Sequence, residues 1–153
     1  MSSVTEYFDN TELPIRYKDE ELIKFKGIKN NGKAEGQCII GYLDDNNYYY
    51  EEVNFIDNKK IGPYKKYYDE DLIEEGIYEN NKKNGPYKIY YNGNIYEEGI
   101  YENYFKNGPY KIYYENGILC EEGIYINNYK NGPYKRYDEN GDLKEEGIYE
   151  NDE

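Results

Sequence analysis

The sequence predicts an all-β protein, an elongated single antiparallel β-meander sheet built from about six tandem β-hairpin repeats. Three observations predict this class. Two peptide motifs recur at a nearly constant spacing, Asn-Gly turn signals separate short runs of β-forming residues, and tyrosine dominates an aromatic content of 18%. A fixed period of about 23 residues is typical of stacked arrays in which each unit buries its surface against its neighbours.

The repeat is defined by two motifs. Gly-Pro-Tyr-Lys begins at Gly62, Gly85, Gly108 and Gly132, and Glu-Glu-Gly-Ile-Tyr begins at Glu74, Glu97, Glu121 and Glu145. A weaker copy of the second motif stands at residues 51–55. We therefore divide the chain into an irregular N-terminal cap, residues 1–12, and one repeat domain, residues 13–153. Its units are 13–35, 36–61, 62–84, 85–107, 108–131 and 132–153.

Each unit is predicted to contain two strands and two turns. In the fourth unit, residues 87–91 form a β-forming run, Asn92-Gly93 is a preferred two-residue hairpin signal, and residues 95–103 form the return strand. Asn107-Gly108 is predicted to turn into the next unit, because Asn and Gly accept the positive φ of type I′ turns. Pro after Gly fits the first residue of a strand, where its missing N–H costs no ladder bond.

Strand alternation predicts the two faces of the sheet. With a three-residue hairpin loop, one face carries Tyr87, Ile89, Tyr91, Ile95, Gly99 and Tyr101. In that register Lys88 lies opposite Glu98, and the same offset sets Lys111 against Glu122 and Lys135 against Glu146. The glycine of the second motif leaves a bare position on the aromatic face, which a neighbouring tyrosine ring is expected to cover.

The composition favours an ordered, non-catalytic protein. Only 37% of the residues are hydrophobic and the net charge is −13, but disordered chains are poor in aromatic residues. Histidine is absent and no Ser or Thr follows Thr11, which excludes the usual hydrolase triads. Cys38 and Cys120 lack the spacing of a metal site, and we expect two reduced thiols. We predict no enzyme activity, no catalytic residues, no metal and no cofactor.

Charge and hydropathy indicate the location and the partners. The N-terminus has no basic segment followed by an apolar one, and no stretch approaches the roughly 20 apolar residues of a membrane span. We expect a cytoplasmic protein. Its 32 acidic residues against 19 basic ones would be repelled by nucleic acid and by anionic lipid. We therefore expect a basic protein as partner, with no direct nucleic-acid or membrane binding.

The repeat resembles a known family. Residues 99–117, GIYENYFKNGPYKIYYENG, are similar to the MORN repeat variant, whose consensus is close to GxYxNGKxxGxWxxYYxNG. The similarity covers residues 62–153 well and 22–61 loosely, and it departs at the Trp position, which is taken by Tyr64, Tyr87, Tyr110 and Tyr134. The resemblance implies a fold of tandem hairpins and no catalytic residues. It also implies a function, because bacterial proteins of this variant are often antitoxins or immunity proteins, while other MORN proteins are scaffolds or membrane-associated.

Two functions follow as hypotheses. The first is an inhibitor, either an immunity protein or antitoxin or a mobile-element inhibitor of a bacterial defence nuclease, that blocks a basic toxin or nuclease. An acidic surface would steer such an enzyme into the complex and occupy the place of phosphates. The alternative is a structural or scaffolding module for protein assembly. In either case we expect a monomer or a weak homodimer.

Candidate partner-binding residues are chosen where the units differ or expose acids. The loop between units is Asn81-Lys82 at one place but contains aromatic residues in the next two, and exposed aromatic loop residues are good anchors. The candidates are Tyr68, Tyr91, Glu97, Tyr104, Phe105, Tyr114, Glu121 and Tyr129. Reversing the charge of Glu97 and Glu121 to lysine is expected to weaken partner binding and to spare the fold.

Overall fold

The computed structural model describes residues 6–8, 21–44 and 47–152, with side chains described for residues 31–41 and 49–152. In these residues every regular element is a strand, and all strands belong to one antiparallel sheet. The predicted all-β meander is thus confirmed. The described part of the chain offers no helix long and apolar enough to cross a membrane.

The strands follow one another across the sheet in chain order. They are β1 (Glu6–Phe8), β2 (Glu21–Asn30), β3 (Lys33–Asp44), β4 (Asn47–Ile56), β5 (Lys59–Tyr68), β6 (Asp71–Glu79), β7 (Lys82–Lys83), β8 (Gly85–Tyr91), β9 (Asn94–Glu102), β10 (Phe105–Lys106), β11 (Gly108–Tyr113), β12 (Leu119–Ile126), β13 (Tyr129–Lys130), β14 (Gly132–Tyr137) and β15 (Leu143–Tyr149). The short strands β7, β10 and β13 pair only with β6, β9 and β12. Strand β1 lies within the cap that we expected to be irregular, and the rest of residues 1–12 lies outside the described residues.

The Gly-Pro dipeptide of each unit lies at a break in strand pairing. Strand β5 runs without interruption, but its register with β4 shifts between Val53 and Asn54, opposite Gly62-Pro63. In the following units the same break separates β7 from β8, β10 from β11 and β13 from β14. Proline has no N–H to give to a ladder, and Gly62 takes a φ of 75°. Such bulges bend a strand and increase its local twist.

The turn inside the fourth hairpin agrees with the prediction, whereas the turns between the units correct it. Asn92-Gly93 has positive φ at both residues, as a type I′ turn requires. The prediction that Asn107-Gly108 turns into the next unit is wrong. That turn is Asn103-Tyr104, with φ values of 51° and 76°, and Gly108 lies at the pairing break with a φ of 108°. The sequence signal was ambiguous because both places require positive φ.

The predicted register is confirmed in three units. Lys88 pairs with Glu98, and the equivalent pairs are Lys111 with Glu122 and Lys135 with Glu146. The fourth unit reaches this register with a two-residue loop rather than three, because a bulge between Ile89 and Tyr90 supplies the extra residue. The predicted faces hold for Tyr87, Ile89, Gly99 and Tyr101. The prediction for Ile95 is wrong, because the bulge pairs Ile95 with Tyr90 on the opposite face.

The core lies on the tyrosine face of the sheet. Tyr64, Tyr87 and Tyr110 are each 2% exposed, and toward the N-terminus the same face continues with Val53 and Phe55. The predicted cover of the strand glycines is confirmed, since a Cβ added at Gly99 would lie 2.8 Å from the hydroxyl oxygen of Tyr87. The same contact recurs between Gly76 and Tyr64, Gly123 and Tyr110, and Gly147 and Tyr134.

Candidate functional site

A buried tyrosine–glutamate–lysine ladder occupies the tyrosine face. In the fourth unit, the Tyr87 hydroxyl donates to Glu97 Oε1 at 2.5 Å, and Lys106 Nζ donates to the same oxygen at 2.6 Å. The lysine also lies over the ring of Tyr87, 5.5 Å from its centroid. The equivalent residues are Tyr64, Glu74 and Lys83 in the unit before and Tyr110, Glu121 and Lys130 in the unit after.

The ladder stabilises charges that burial alone would make costly. Burial raises the pKa of Glu121, but hydrogen bonds from Arg136, Lys130 and Tyr110 outweigh it and lower that pKa to about 2. Burial and the nearby Glu97 carboxylate raise the pKa of Tyr87 far above its ordinary value. Glu121 therefore stays ionised and Tyr87 stays neutral, which are the states in which a carboxylate accepts and a hydroxyl donates a hydrogen bond.

Arg136 modifies the ladder in the last unit. Its Nε donates to Glu121 Oε2 at 2.7 Å and its Nη1 donates to Glu145 Oε2 at 3.0 Å. Arg136 takes the strand position held by Ile89 and Ile112 in the two preceding units. One guanidinium thus joins the glutamates of two neighbouring units, so this departure from the repeat has a structural explanation.

The opposite face carries an exposed apolar stripe. In each of four units a proline pairs across the hairpin with an isoleucine, and both side chains are exposed. We call these residues the Pro–Ile stripe: Pro63, Ile77, Pro86, Ile100, Pro109, Ile124, Pro133 and Ile148. They line a groove of about 1250 Å³ that runs across the strands. Continuous exposed apolar surfaces of this kind are typical of binding sites.

A row of alternating charges borders the stripe. Lysine and glutamate succeed each other strand by strand, so that each charge has opposite charges on the neighbouring strands. The row consists of Glu52, Lys65, Glu75, Lys88, Glu98, Lys111, Glu122, Lys135 and Glu146. Tyrosine hydroxyls donate to several of these carboxylates, as Tyr113 does to Glu98 at 2.6 Å. The groove floor is nearly neutral, and it therefore does not imitate a run of phosphates.

Two of the sequence-based candidates are scaffold residues. Glu97 and Glu121 are each 5% exposed and belong to the buried ladder. A lysine at either position would face the ammonium group of Lys106 or Lys130. The structure therefore argues against both a direct partner contact by these carboxylates and the expectation that their charge reversal spares the fold.

The remaining candidates form two groups, which lie at opposite ends of the strands. Tyr68, Tyr91 and Tyr114 are at the ends of hairpins, where Tyr91 is 66% exposed and the Tyr114 hydroxyl donates to the carbonyl oxygen of Tyr137. The other three, Tyr104, Phe105 and Tyr129, lie on the turns between units and are exposed. The structure does not bring the two groups together, so one small contact cannot use both.

Sequence reasoning missed the stripe and the ladder lysines. Each lysine stands nine residues after the glutamate that it contacts, at Lys60, Lys83, Lys106 and Lys130. This spacing is visible in the sequence. It predicts a contact only if the turn between units is placed between the glutamate and the lysine, and the sequence prediction placed that turn after the lysine. The exposed stripe was not predicted, because proline was interpreted only as the first residue of a strand and isoleucine only as a strand former.

The comparisons with known proteins leave the family open. No protein-family model matches the chain, and a search of curated proteins returns no significant match. The resemblance to the MORN repeat variant therefore stays a prediction. Within the described residues, no group of three or more Cys, Asp or Glu side chains is arranged to hold a metal ion.

Proposed function

We propose that this protein is a non-catalytic binding module that holds a segment of a basic partner protein along the Pro–Ile stripe. The observation that carries the proposal is the unbroken exposed stripe on the face opposite the core. Ile77, Ile100 and Ile124 are still 37–39% exposed in the folded sheet, and a partner that covers them gains further apolar burial.

The net charge supports a basic partner. The groove floor is nearly balanced, so the excess of acids lies elsewhere, much of it on turns and strand ends such as Asp69, Glu70, Glu139 and Glu150. Acids around an apolar contact accelerate association with a basic protein and disfavour acidic competitors. We further propose that the partner is a toxin or nuclease that this protein inhibits in the cytoplasm, and this role rests on the charge and on the family resemblance.

Affinity capture with matched variants tests the proposal. The wild type and an Ile100→Thr/Ile124→Thr variant are used to capture proteins from an extract of the source cells. Threonine keeps the β-branched shape and removes the apolar surface. We expect one basic protein to be retained by the wild type and by a Tyr91→Thr control, and to be lost from the double variant.

Two outcomes would contradict the proposal. Retention of the same partner by the double variant would exclude the stripe, and loss of it from the Tyr91→Thr control would move the contact to the opposite edge. If the captured protein is an enzyme, its activity in the presence of the wild type tests inhibition directly. Capture of assembly proteins without any inhibited activity would favour the scaffolding alternative.

A further inference from the structure

The apolar surface widens in one part of the sheet. On β9, the next residue after Ile100 on the same face is Glu102, and Glu102 pairs with Phe105. On β12, the next residue after Ile124 on that face is Ile126, and Ile126 pairs with Tyr129. Phe105 is 49%, Ile126 47% and Tyr129 54% exposed. The two turns are neighbours, since the N–H of Asn128 donates to the carbonyl oxygen of Lys106 at 2.9 Å.

Comparison between units shows that these aromatic residues are not required by the fold. The position of Phe105 and Tyr129 is occupied by Lys59 and Lys82 in earlier units, on turns of the same kind. The turn residue just before this position is an asparagine in three other units. The side-chain oxygen of each asparagine accepts a hydrogen bond from a backbone N–H of another unit, and these residues are Asn58, Asn81 and Asn128. Tyr104 takes that position with a φ of 76°. A bulky residue in this region is strained, and such strain is found at functional sites.

The charges around these turns are mainly acidic. Glu102 lies opposite Phe105, and Glu150 and Asp152 are exposed around the next turn. Of the nearby lysines, Lys106 and Lys130 point to the other face and are held by Glu97 and Glu121. Lys82, on the preceding turn, is exposed and lies opposite Glu79. An exposed aromatic group beside carboxylates fits a cationic side chain, which the ring face and the acids attract together.

We propose that Phe105, Ile126 and Tyr129, with Tyr104 beside them, form an anchor patch that takes a segment of the partner presenting Arg or Lys next to an apolar residue. This inference rests on the proposed function and adds where the partner is held most strongly and by what chemistry. Aromatic residues at the centre of a contact commonly account for most of its affinity.

Selection of random peptides tests the anchor patch directly, because it does not require an identified partner. A phage library of random peptides is selected on the immobilised full chain, and the enriched peptides are synthesised and titrated. We expect them to combine Arg or Lys with apolar residues. They should bind a Phe105→Thr/Tyr129→Thr variant about tenfold or more weakly, and a Leu143→Thr control, changed at an exposed hairpin end, as the wild type.

A second variant controls for folding. Phe105→Lys/Tyr129→Lys restores the residues of the earlier turns, so it should keep the circular dichroism spectrum and unfolding midpoint of the wild type while losing the peptides. Failure to enrich any peptide, enrichment of acidic peptides, or equal binding by the Thr variant would overturn the inference. Peptides lost from Ile100→Thr/Ile124→Thr but not from Phe105→Thr/Tyr129→Thr would leave the proposed function standing and reject the anchor patch alone.

Discussion

At the scale of the residue, the fold depends on close contacts that repeat in every unit. The ring of Tyr87 lies on Gly99 because glycine alone leaves room for it at that strand position. This contact could be predicted from the sequence, since a glycine inside an aromatic strand leaves a bare place. The buried state of Glu97 could not, because an acid in a strand normally points to water.

The first residue-scale prediction concerns Gly99. In Gly99→Ala the new Cβ would lie within 3.0 Å of three atoms of the Tyr87 ring and hydroxyl, so the ring must move. We expect a loss of about 1 to 3 kcal/mol in the free energy of unfolding, measured by urea denaturation. Asn94→Ala, an exposed residue of the same strand, is the control and should change little. Equal stability of Gly99→Ala and wild type would contradict the close contact.

The second residue-scale prediction concerns Tyr104. Tyr104→Asn places a residue that tolerates positive φ where asparagine already stands in other units, and the loss of the tyrosine hydroxyl bond to the Asn81 carbonyl oxygen offsets part of the gain. We expect a gain of about 0.5 kcal/mol in the free energy of unfolding. Measurable destabilisation in urea denaturation would show that the tyrosine is required by the turn.

At the scale of the element, each unit is joined to the next by the ladder. Lys106 reaches from β10 to Glu97 on β9 and lies over the rings of Tyr87 and Tyr125. The hairpins and their register were predicted from Asn-Gly signals and strand alternation. The turns between units were misplaced, because Asn103-Tyr104 has no glycine and Asn107-Gly108 does.

A matched pair of lysines tests the ladder. Lys106→Met leaves Glu97 buried without its cation, and we expect a loss of about 2 to 4 kcal/mol in the free energy of unfolding. Lys88→Met removes a lysine that is 4.0 Å from Glu75 on the exposed charge row, and we expect a loss below about 1 kcal/mol. Urea denaturation of both variants measures the difference. Similar losses for the two variants would contradict the distinction between a buried ladder and an exposed row.

At the scale of the whole molecule, a single sheet is stable because tyrosine supplies both its core and its polar contacts. Burial, followed by the Glu75 hydrogen bond and charge, raises the pKa of Tyr90 to about 12, and burial with Glu98 does the same for Tyr113. Burial also raises the pKa of Tyr64, Tyr101 and Tyr110. The sequence predicted the sheet and its aromatic face. It did not predict which face has an exposed apolar surface, because both faces carry tyrosine and charged residues.

These tyrosines predict the response to alkaline pH. The unfolded chain releases tyrosine protons near the ordinary pKa of 10.0, whereas the folded chain keeps them to higher pH. The contribution of these tyrosines to stability should therefore be constant below pH 10 and should fall as the pH rises toward 12. The absorbance change of the buried tyrosines should occur together with the loss of the circular dichroism signal, in one cooperative transition. Gradual ionisation of all the tyrosines near pH 10 with the sheet intact would contradict this burial.

The most direct test of the central claim is hydroxyl-radical footprinting of the protein alone and in complex with its captured partner. We expect a loss of reactivity on binding at Ile100, Ile124, Phe105 and Tyr129, and unchanged reactivity at Tyr91 and Leu143, which are exposed at the opposite ends of the strands. Protection of Tyr91 and Leu143 with unchanged reactivity along the Pro–Ile stripe would contradict it and place the partner elsewhere on the sheet.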